Sequence, residues 1–216
     1  MVNKSRDARN FRFFYYYLII LMNYGIQSVS DKMKNKTNME FRGAMRYSPR
    51  MFLIFGLLGY LATGEFMYIR LFIYVFLTEV IVYTLKQFTK DKFSNVLSND
   101  IIYRPKNSGD CMGCGSIFYC ENNCVVSDTQ VGMPSGHTAV AFMFATFFIS
   151  KIWTSPGFLL FKIARTVALV LIAIMVGMSR VYLENCHTVS QVIAGSVVGM
   201  TLGLLFSFID NLFRKN

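Results

Sequence analysis

The chain contains only two histidines, and each lies near the start of a long apolar segment. His137 ends the run Pro134-Ser135-Gly136-His137. Proline favours entry into a helix, serine can cap the helix, and glycine lets a ligand approach the backbone. The N–H groups and the positive end of such a helix bind anions, most often phosphate. His137 could donate a proton to a leaving group there, although an ordinary capped helix with an incidental histidine explains this run equally well.

The second histidine follows an arginine at the junction of two apolar segments. Arg180 ends one segment and His187 begins the next. Such an arginine can bind phosphate through its planar fork, and a histidine kept neutral at a helix start can act as a nucleophile. Gln191 lies four residues after His187 on the same helix face, so its amide oxygen could orient the imidazole. The alternative is an interfacial arginine and histidine that reach lipid headgroups.

Two more cationic residues precede the first histidine. Arg104 stands before Pro105 in a long polar segment, and Lys86 ends the apolar segment before it. With Arg180 and the helix start at Ser135, they would surround a phosphate with positive charge. Arg104 taken alone is more simply a loop arginine. The two histidines, at loop–helix junctions on one membrane face, are together a stronger indication than either is alone.

The elements that must position these residues are apolar. Hydrophobic residues make up 54% of the 216 residues and charged residues 16%. This composition excludes a disordered chain, a collagen and a coiled coil, and it disfavours a soluble α/β enzyme, which could not bury so much apolar surface. We therefore expect an all-α, multi-pass transmembrane helical bundle of about six spans, at residues 13–26, 51–63, 66–85, 135–153, 158–179 and 188–213. The first is short and could instead lie in the membrane interface.

Six spans have a geometric consequence for the polar loops. The long loop 86–133, before the fourth span, and the short loop 180–187 are separated by two spans, so they would share one face of the membrane. Both histidines are therefore expected on that face, and both chain ends on the other.

The spans themselves contain two informative features. Arg70 and Glu79 fall inside the third span and are expected to face protein rather than lipid. Gly195, Gly199 and Gly203 recur every four residues in the last span. This spacing predicts that a neighbouring helix approaches closely there.

The formal net charge of +10 is concentrated near the N-terminus. Residues 1–50 hold ten Lys/Arg and three Asp/Glu, which gives +7. Anionic headgroups explain this excess more simply than nucleic acid does, because no nucleic-acid recognition motif accompanies it. We therefore divide the chain into a basic N-terminal region at 1–50 and a transmembrane domain at 51–216, and expect membrane lipid but no nucleic acid as a partner.

The sequence resembles the type 2 phosphatidic acid phosphatase superfamily. That superfamily includes lipid phosphate phosphatases, undecaprenyl and dolichyl pyrophosphate phosphatases, and glucose-6-phosphatase. Its pattern begins with Lys-x6-Arg-Pro and Pro-Ser-Gly-His, and the second part matches fully at 134–137. In the first part Arg104 matches, but Leu97 stands seven residues before it. We assign the lysine role to Lys86, with an insertion before Arg104, and keep Lys90 and Lys92 as rivals.

The third part of the family pattern, Ser-Arg-x5-His-x3-Asp, matches with two departures. Ser179, Arg180 and His187 are present, but six residues rather than five separate the last two. Gln191 replaces the aspartate, and glucose-6-phosphatase is similar in having glutamine there. Either a lower activity or a contribution from Glu184 could follow, and Gln191→Asp is expected to retain or raise turnover.

The resemblance implies a mechanism without metal or other cofactor. His187 would attack phosphorus and form a phosphohistidine, His137 would protonate the leaving oxygen and then activate water, and Gln191 would orient His187. Five residues would bind the phosphoryl oxygens: Lys86, Arg104, Ser135, Gly136 and Arg180.

The cysteines indicate whether the polar loops face an oxidising or a reducing compartment. Four of the five lie close together, at Cys111, Cys114, Cys120 and Cys124. Two disulfides, free thiols and a zinc site are the alternatives, and two disulfides fit best if the loop faces an oxidising space. Cys186 is left over and is interpreted as a buried thiol. The cysteines and the resemblance together favour a lumenal or extracellular active face.

The leading hypothesis is a membrane phosphatase acting on a lipid phosphate or an isoprenyl pyrophosphate. A sugar-phosphate phosphatase of the glucose-6-phosphatase type is the alternative enzyme, motivated by Gln191. A catalytically weak phospholipid-binding protein is the alternative from another class, motivated by the altered lysine spacing and the lost aspartate. A transporter or channel is disfavoured because charge inside the spans is sparse.

Overall fold

The computed structural model describes residues 45, 47–94, 96–105 and 131–215. Regular structure within these residues is helical, apart from one isolated bridge between Tyr103 and Val131. The helices are α1 (Ser48–Thr63), α2 (Phe66–Phe93), α3 (Asn99–Ile102), α4 (Gly136–Thr154), α5 (Leu159–Met178) and α6 (Val189–Lys215), with a π-helical turn at Ser179–Leu183. The predicted segment 13–26 and the four clustered cysteines lie outside the described residues.

The predicted segments after residue 50 are all helical. Among the described residues, three helices are long and apolar enough to cross a membrane: Phe66–Phe93, Leu159–Leu183 and Val189–Phe213. α1 is apolar but shorter. α2 continues past its predicted end at residue 85, and Lys90 and Lys92 in its last turn interact favourably with the negative end of the helix dipole.

The hydrophobic core forms around α4. This helix packs against α1, α2, α5 and α6. Most of its residues are buried, on all faces of the helix. Phe144 stacks on Phe52 of α1 with ring centroids 4.4 Å apart, and it meets the edge of Phe55 at 5.6 Å. Because buried aromatic rings contribute large apolar areas and specific ring contacts, this cluster fixes α1 against α4.

The glycine stripe of α6 packs directly on the α4 backbone, as predicted. A Cβ atom on Gly195 would lie 2.5 Å from the Ser135 carbonyl oxygen, and one on Gly199 would lie 2.2 Å from that of Ala139. Such distances are shorter than any real contact, so only glycine allows this approach. The stripe therefore brings the N-termini of α4 and α6, which carry the two histidines, side by side.

The two charged residues predicted to face protein do so. Glu79 is 7% exposed. Arg70 donates from Nε to Oδ1 of Asp210 on α6 at 2.5 Å. Lys151 of α4 lies 2.6 Å from the other oxygen of Asp210 and also donates to Asn211 at 2.6 Å. This distal charge cluster (Arg70, Lys151, Asp210 and Asn211) joins three helices at the end of the bundle opposite the histidines.

Candidate active site

The predicted site residues come from five elements that meet at one end of the bundle. Lys86 lies near the end of α2, Arg104 follows α3, and Ser135 precedes α4. Arg180 lies in the π-helical turn, and His187 lies just before α6. The charges of Lys86, Arg104 and Arg180 interact with one another and with His187. The fold therefore gathers these side chains into one group.

The start of α4 has the form of an anion site. Ser135 occupies the N-cap position, but no side-chain hydrogen bond caps the helix. Its hydroxyl lies 3.0 Å from that of Thr138 instead, and its N–H donates to the Gln191 carbonyl oxygen at 3.0 Å. The predicted serine cap is thus present by position only. The first N–H groups of α4, beginning at Gly136, have no partner within the helix and can donate to an anion.

Gln191 fixes the orientation of the second histidine. Its Oε1 lies 3.0 Å from Nδ1 of His187. Its Nε2 donates to two backbone carbonyl oxygens, those of Ile101 at 3.0 Å and Tyr103 at 2.6 Å. Because the amide nitrogen is committed to these carbonyls, the amide oxygen must face the imidazole. Nδ1 then carries the proton, and Nε2 presents a lone pair.

Charge and burial keep this imidazole neutral. His187 is 2% exposed. Burial, followed by the charges of Arg104, Lys86 and Arg180, lowers its pKa well below the usual 6.5, while the hydrogen bond with Gln191 acts in the opposite direction. A neutral His187 whose Nε2 carries the lone pair has the electronic form that a nucleophile requires.

Arg104 is a buried cation whose hydrogen-bonding capacity is only partly used. It is 6% exposed, and among the described residues its Nε and Nη1 make no hydrogen bond. Burial first, then Arg180, lowers its pKa to about 10, so the guanidinium stays charged at neutral pH. Buried charged donors without acceptors are costly unless an anion arrives, so this side chain is suited to bind phosphate.

The segment that carries Arg104 is held by backbone and side-chain contacts. The N–H groups of Gly132 and Met133 both donate to the Ile102 carbonyl oxygen, at 2.8 and 3.2 Å. Gly132 also packs against Gln191, where a Cβ atom would lie 2.3 Å from Oε1. Gln191 therefore connects three parts of the site: the Arg104 segment, residues 131–135 before α4, and His187.

Arg180 is enclosed by its own turn. It is fully buried, and its Nη1 pairs with Oε2 of Glu184. The Glu184 N–H bonds to the Ser179 carbonyl oxygen five residues earlier, which is the π-helical pattern. A π-helical turn contains one more residue than an α-helical turn, and six residues separate Arg180 from His187. Glu184 thus pairs with Arg180, whereas the partner of the His187 ring is Gln191.

The remaining predicted residues also lie at this end. His137 is 3% exposed in the first turn of α4. Lys86 is the α2 lysine whose charge interacts with Arg104 and Arg180, whereas Lys90 and Lys92 are exposed. This placement favours Lys86 over its two rivals, and the role of each residue stays a prediction.

One prediction about the cysteines is wrong. Cys186, interpreted as a buried thiol, is disulfide-bonded. The other four cysteines of the chain all lie in 106–130, outside the described residues. The sequence signal was present, since five cysteines include an odd one, but spacing alone favoured pairing within the cluster. Sequence reasoning also missed the backbone partners of Gln191, because they lie about 90 residues away along the chain.

The family model of the PAP2 superfamily matches residues 67–214. A protein named dolichyldiphosphatase from Saccharomyces cerevisiae is 33% identical over 150 residues, which is 68% of this chain and 59% of that protein. A PA-phosphatase related-family protein from Dictyostelium discoideum is 29% identical over 99 residues, or 42% of this chain and 36% of that protein. The chain thus matches less than two thirds of the length of each of these relatives. No solved structure matches the chain significantly.

Proposed function

The chain belongs to the PAP2 superfamily, and on that premise we propose that it is a multi-pass membrane phosphatase acting on a lipid phosphate or isoprenyl diphosphate. The observation that carries the proposal is the orientation of His187. Its Nδ1 is held by Gln191, and its ring interacts with the charges of Lys86, Arg104 and Arg180. A neutral nucleophile beside three cations suits attack on a phosphate.

The first step transfers the phosphoryl group to the protein. Nε2 of His187 attacks phosphorus in line with the leaving oxygen, so that a P–N bond forms as the P–O bond breaks. Protonated His137 gives its proton to the leaving oxygen. Arg104, Arg180 and Lys86, with the N–H of Gly136, hold the phosphoryl oxygens as charge redistributes.

The second step releases phosphate. His137 accepts a proton from water while the water oxygen attacks the phosphohistidine. The P–N bond breaks, inorganic phosphate leaves, and both imidazoles return to their starting protonation states. The two steps balance without metal or other cofactor.

A lipid substrate agrees with the position of the site. The site lies at one end of helices that are long and apolar enough to cross a membrane. A lipid could therefore reach it from the bilayer while its phosphate enters the polar pocket. The relative named dolichyldiphosphatase supports an isoprenyl diphosphate as one substrate to test.

The disulfide at Cys186 supports a lumenal or extracellular active face. Disulfides persist in oxidising spaces and are rare in the cytosol. Cys186 is adjacent to His187, so the site and the disulfide share one side. Comparing the electrophoretic mobility of protein isolated from cells with and without reduction tests this assignment, with Cys186→Ser as the variant. Identical mobility in the unreduced wild type and variant would count against it.

Phosphate release by purified protein in detergent tests the function. The panel contains phosphatidate, an isoprenyl diphosphate and glucose 6-phosphate, each with EDTA present. We expect release from one of the two lipids, and none in His187→Ala. Preference for glucose 6-phosphate would support the sugar-phosphate alternative, and a requirement for metal would contradict the mechanism.

The covalent intermediate distinguishes the roles of the two histidines. With a diphosphate substrate, whose leaving group departs readily, His137→Ala should accumulate an acid-labile phosphohistidine because the second step lacks its base. His187→Ala should form none. Equal phosphorylation of both variants, measured by mass spectrometry after a rapid quench, would remove His187 as the nucleophile.

A further inference from the structure

Gly132 lies directly against the side chain that orients His187. A Cβ atom on Gly132 would lie 2.3 Å from Oε1 of Gln191, 2.6 Å from Cδ and 2.7 Å from Nε2. These three atoms make up the amide group of Gln191. The whole amide, rather than one of its atoms, therefore occupies the place that a side chain at position 132 would need.

The backbone conformation of Gly132 does not itself require glycine. Its φ angle lies outside the left-handed region, which Gly64 adopts with φ at 68°. An L-residue could therefore take this conformation without backbone strain. What matters at position 132 is the space that the missing side chain leaves.

The chain at position 132 is held in place and has little freedom to move away from the amide. The preceding residue, Val131, forms the antiparallel bridge with Tyr103. Gly132 is buried, and its own N–H donates to the Ile102 carbonyl oxygen at 2.8 Å. An added methyl group must therefore displace the amide of Gln191 rather than the backbone.

Displacing that amide would break the hydrogen bonds that it makes. Its Oε1 lies 3.0 Å from Nδ1 of His187, and its Nε2 donates to the carbonyl oxygens of Ile101 and Tyr103. The end of a glutamine side chain usually moves at little cost, but this one is fixed by three partners. A contact of 2.3 Å cannot be relieved while all three bonds keep their geometry.

We propose that Gly132 is a positioning residue for His187, because its lack of a side chain leaves the space in which the Gln191 amide holds the imidazole. The fold requires glycine at position 132 only as long as the amide of residue 191 lies against it. The inference rests on the proposed function in treating His187 as the nucleophile. The orientation and tautomer of the ring can be measured without catalysis.

The tautomer of His187 is the direct readout. The chain has only two histidines, so isotope-labelled histidine gives two imidazole rings in the NMR spectrum of the full chain in detergent, and His137→Gln identifies each. In the wild type the proton of His187 should lie on Nδ1, because Oε1 of Gln191 accepts it. In Gly132→Ala the proton should move to Nε2 in a substantial share of the molecules. Unchanged nitrogen shifts in folded Gly132→Ala overturn the inference.

A double-mutant cycle separates positioning from packing. With an isoprenyl diphosphate as substrate, Gly132→Ala alone should lower kcat/KM by about 10- to 100-fold, as loss of a residue that orients a functional histidine does. In the Gln191→Ala background the same change should alter kcat/KM by less than about threefold, because no amide remains to be displaced. Equal losses in the two backgrounds would show that residue 132 acts through packing alone, which contradicts the proposal.

Gly59 of α1 provides the matched control. A Cβ atom on Gly59 would lie 2.4 Å from the ring of Tyr68, so this glycine is equally crowded but lies near the distal end of the bundle. Gly59→Ala should lower the unfolding temperature and leave the tautomer of His187 unchanged. A changed tautomer there would mean that crowding at any glycine disturbs the site, and would count against a specific role of Gly132.

A failure of Gly132→Ala to fold is also informative. Gly132→Ala/Gln191→Ala should then fold, as judged by thermal unfolding, because the amide that clashes with the methyl group is gone. A double variant that does not fold either would overturn the inference, since the obstacle would not be the amide.

The two readouts keep this inference apart from the proposed function. A tautomer that depends on residue 132, in a protein that releases no phosphate from any substrate, would support the role of Gly132 and remove the proposed function. Phosphate release together with a tautomer that ignores residue 132 would leave the function standing and remove the inference. We expect phosphate release by the wild type and a tautomer that changes in Gly132→Ala.

Discussion

The two ends of the helical bundle both carry clusters of cations, but the clusters differ in how their charges are paired. In the distal charge cluster, Arg70 and Lys151 share the carboxylate of Asp210, and Lys151 also bonds to Asn211. At the active-site end, Arg104 is buried with two of its nitrogen atoms lacking hydrogen bonds among the described residues. The distal cluster is complete in the protein alone, whereas the other is suited to receive an anion.

The hydrogen-bond and ion-pair partners of a charged side chain therefore indicate better than its degree of burial whether it stabilises the fold or binds a ligand. When two buried charges form an ion pair, removal of one partner leaves the other charge uncompensated and destabilises the fold. An unmatched cation reduces stability and is retained where a ligand supplies the missing charge. The comparison therefore predicts opposite consequences for substitutions at the two ends.

The largest expected effect is the loss of activity in Arg104→Met. Removing this cation should lower kcat/KM by about 100- to 1000-fold, because the phosphoryl oxygens lose a charged donor. The unfolding temperature in detergent should stay the same or rise, since an incompletely bonded buried charge is removed. Arg70→Met is the matched control at the other end and should show the reverse, with activity kept and unfolding at a lower temperature. Parallel behaviour of the two variants would contradict the comparison.

The next effect concerns the distal cluster itself. Asp210→Asn leaves Arg70 and Lys151 without a counter-charge and should destabilise the protein by about 3 kcal/mol. The measurement is thermal or denaturant unfolding in detergent, alongside kcat/KM at a temperature where the variant is folded. Unchanged kcat/KM is expected, and a selective loss of turnover without loss of stability would show that the two ends are coupled.

Sequence reasoning anticipated more of the residue placements at the end with the histidines than at the distal end. The placement of Pro134 to His137 and of the Arg180–His187 pair at helix ends could be predicted because both lie beside long apolar segments, while their chemistry stays a prediction. The close approach at Gly199 could be predicted because a repeat of four places small residues on one helix face. Asp210 could not be assigned to Arg70, because 140 residues separate them and a lone charge in an apolar segment does not reveal its partner.

Gln191 shows the same limit within the site. Its bond to His187 spans four residues and was foreseeable from helix geometry. Its bonds to the carbonyls of Ile101 and Tyr103 depend on how α3 meets α6, which no local pattern encodes. These bonds change the expectation for Gln191→Asp, because a carboxylate has no hydrogen to donate to either carbonyl.

A smaller loss is therefore expected when Gln191 becomes a carboxylate. Gln191→Asp and Gln191→Glu should each lower kcat/KM by about 10- to 100-fold, because two buried carbonyls lose their donor and the Arg104 segment loosens. Gln191→Glu keeps the side-chain length and so separates the missing N–H groups from a change in reach. Retained or raised turnover in Gln191→Glu would show that the carbonyl bonds do not matter for catalysis.

The smallest effect is a displacement of the pH profile. His187 has a pKa well below 6.5, chiefly through burial and then through Arg104. It must be neutral to attack, so kcat/KM for the wild type should begin to fall only well below pH 6.5. A carboxylate in Gln191→Glu stabilises the imidazolium, raises that pKa, and should move the acid side of the profile to higher pH by about one unit. Asp100→Asn, which changes an exposed carboxylate, is the control. If the pH profile of Gln191→Glu does not move, a group other than His187 controls the fall in kcat/KM at acid pH. That result would contradict the proposal that the positive charge of the site keeps the nucleophile His187 neutral.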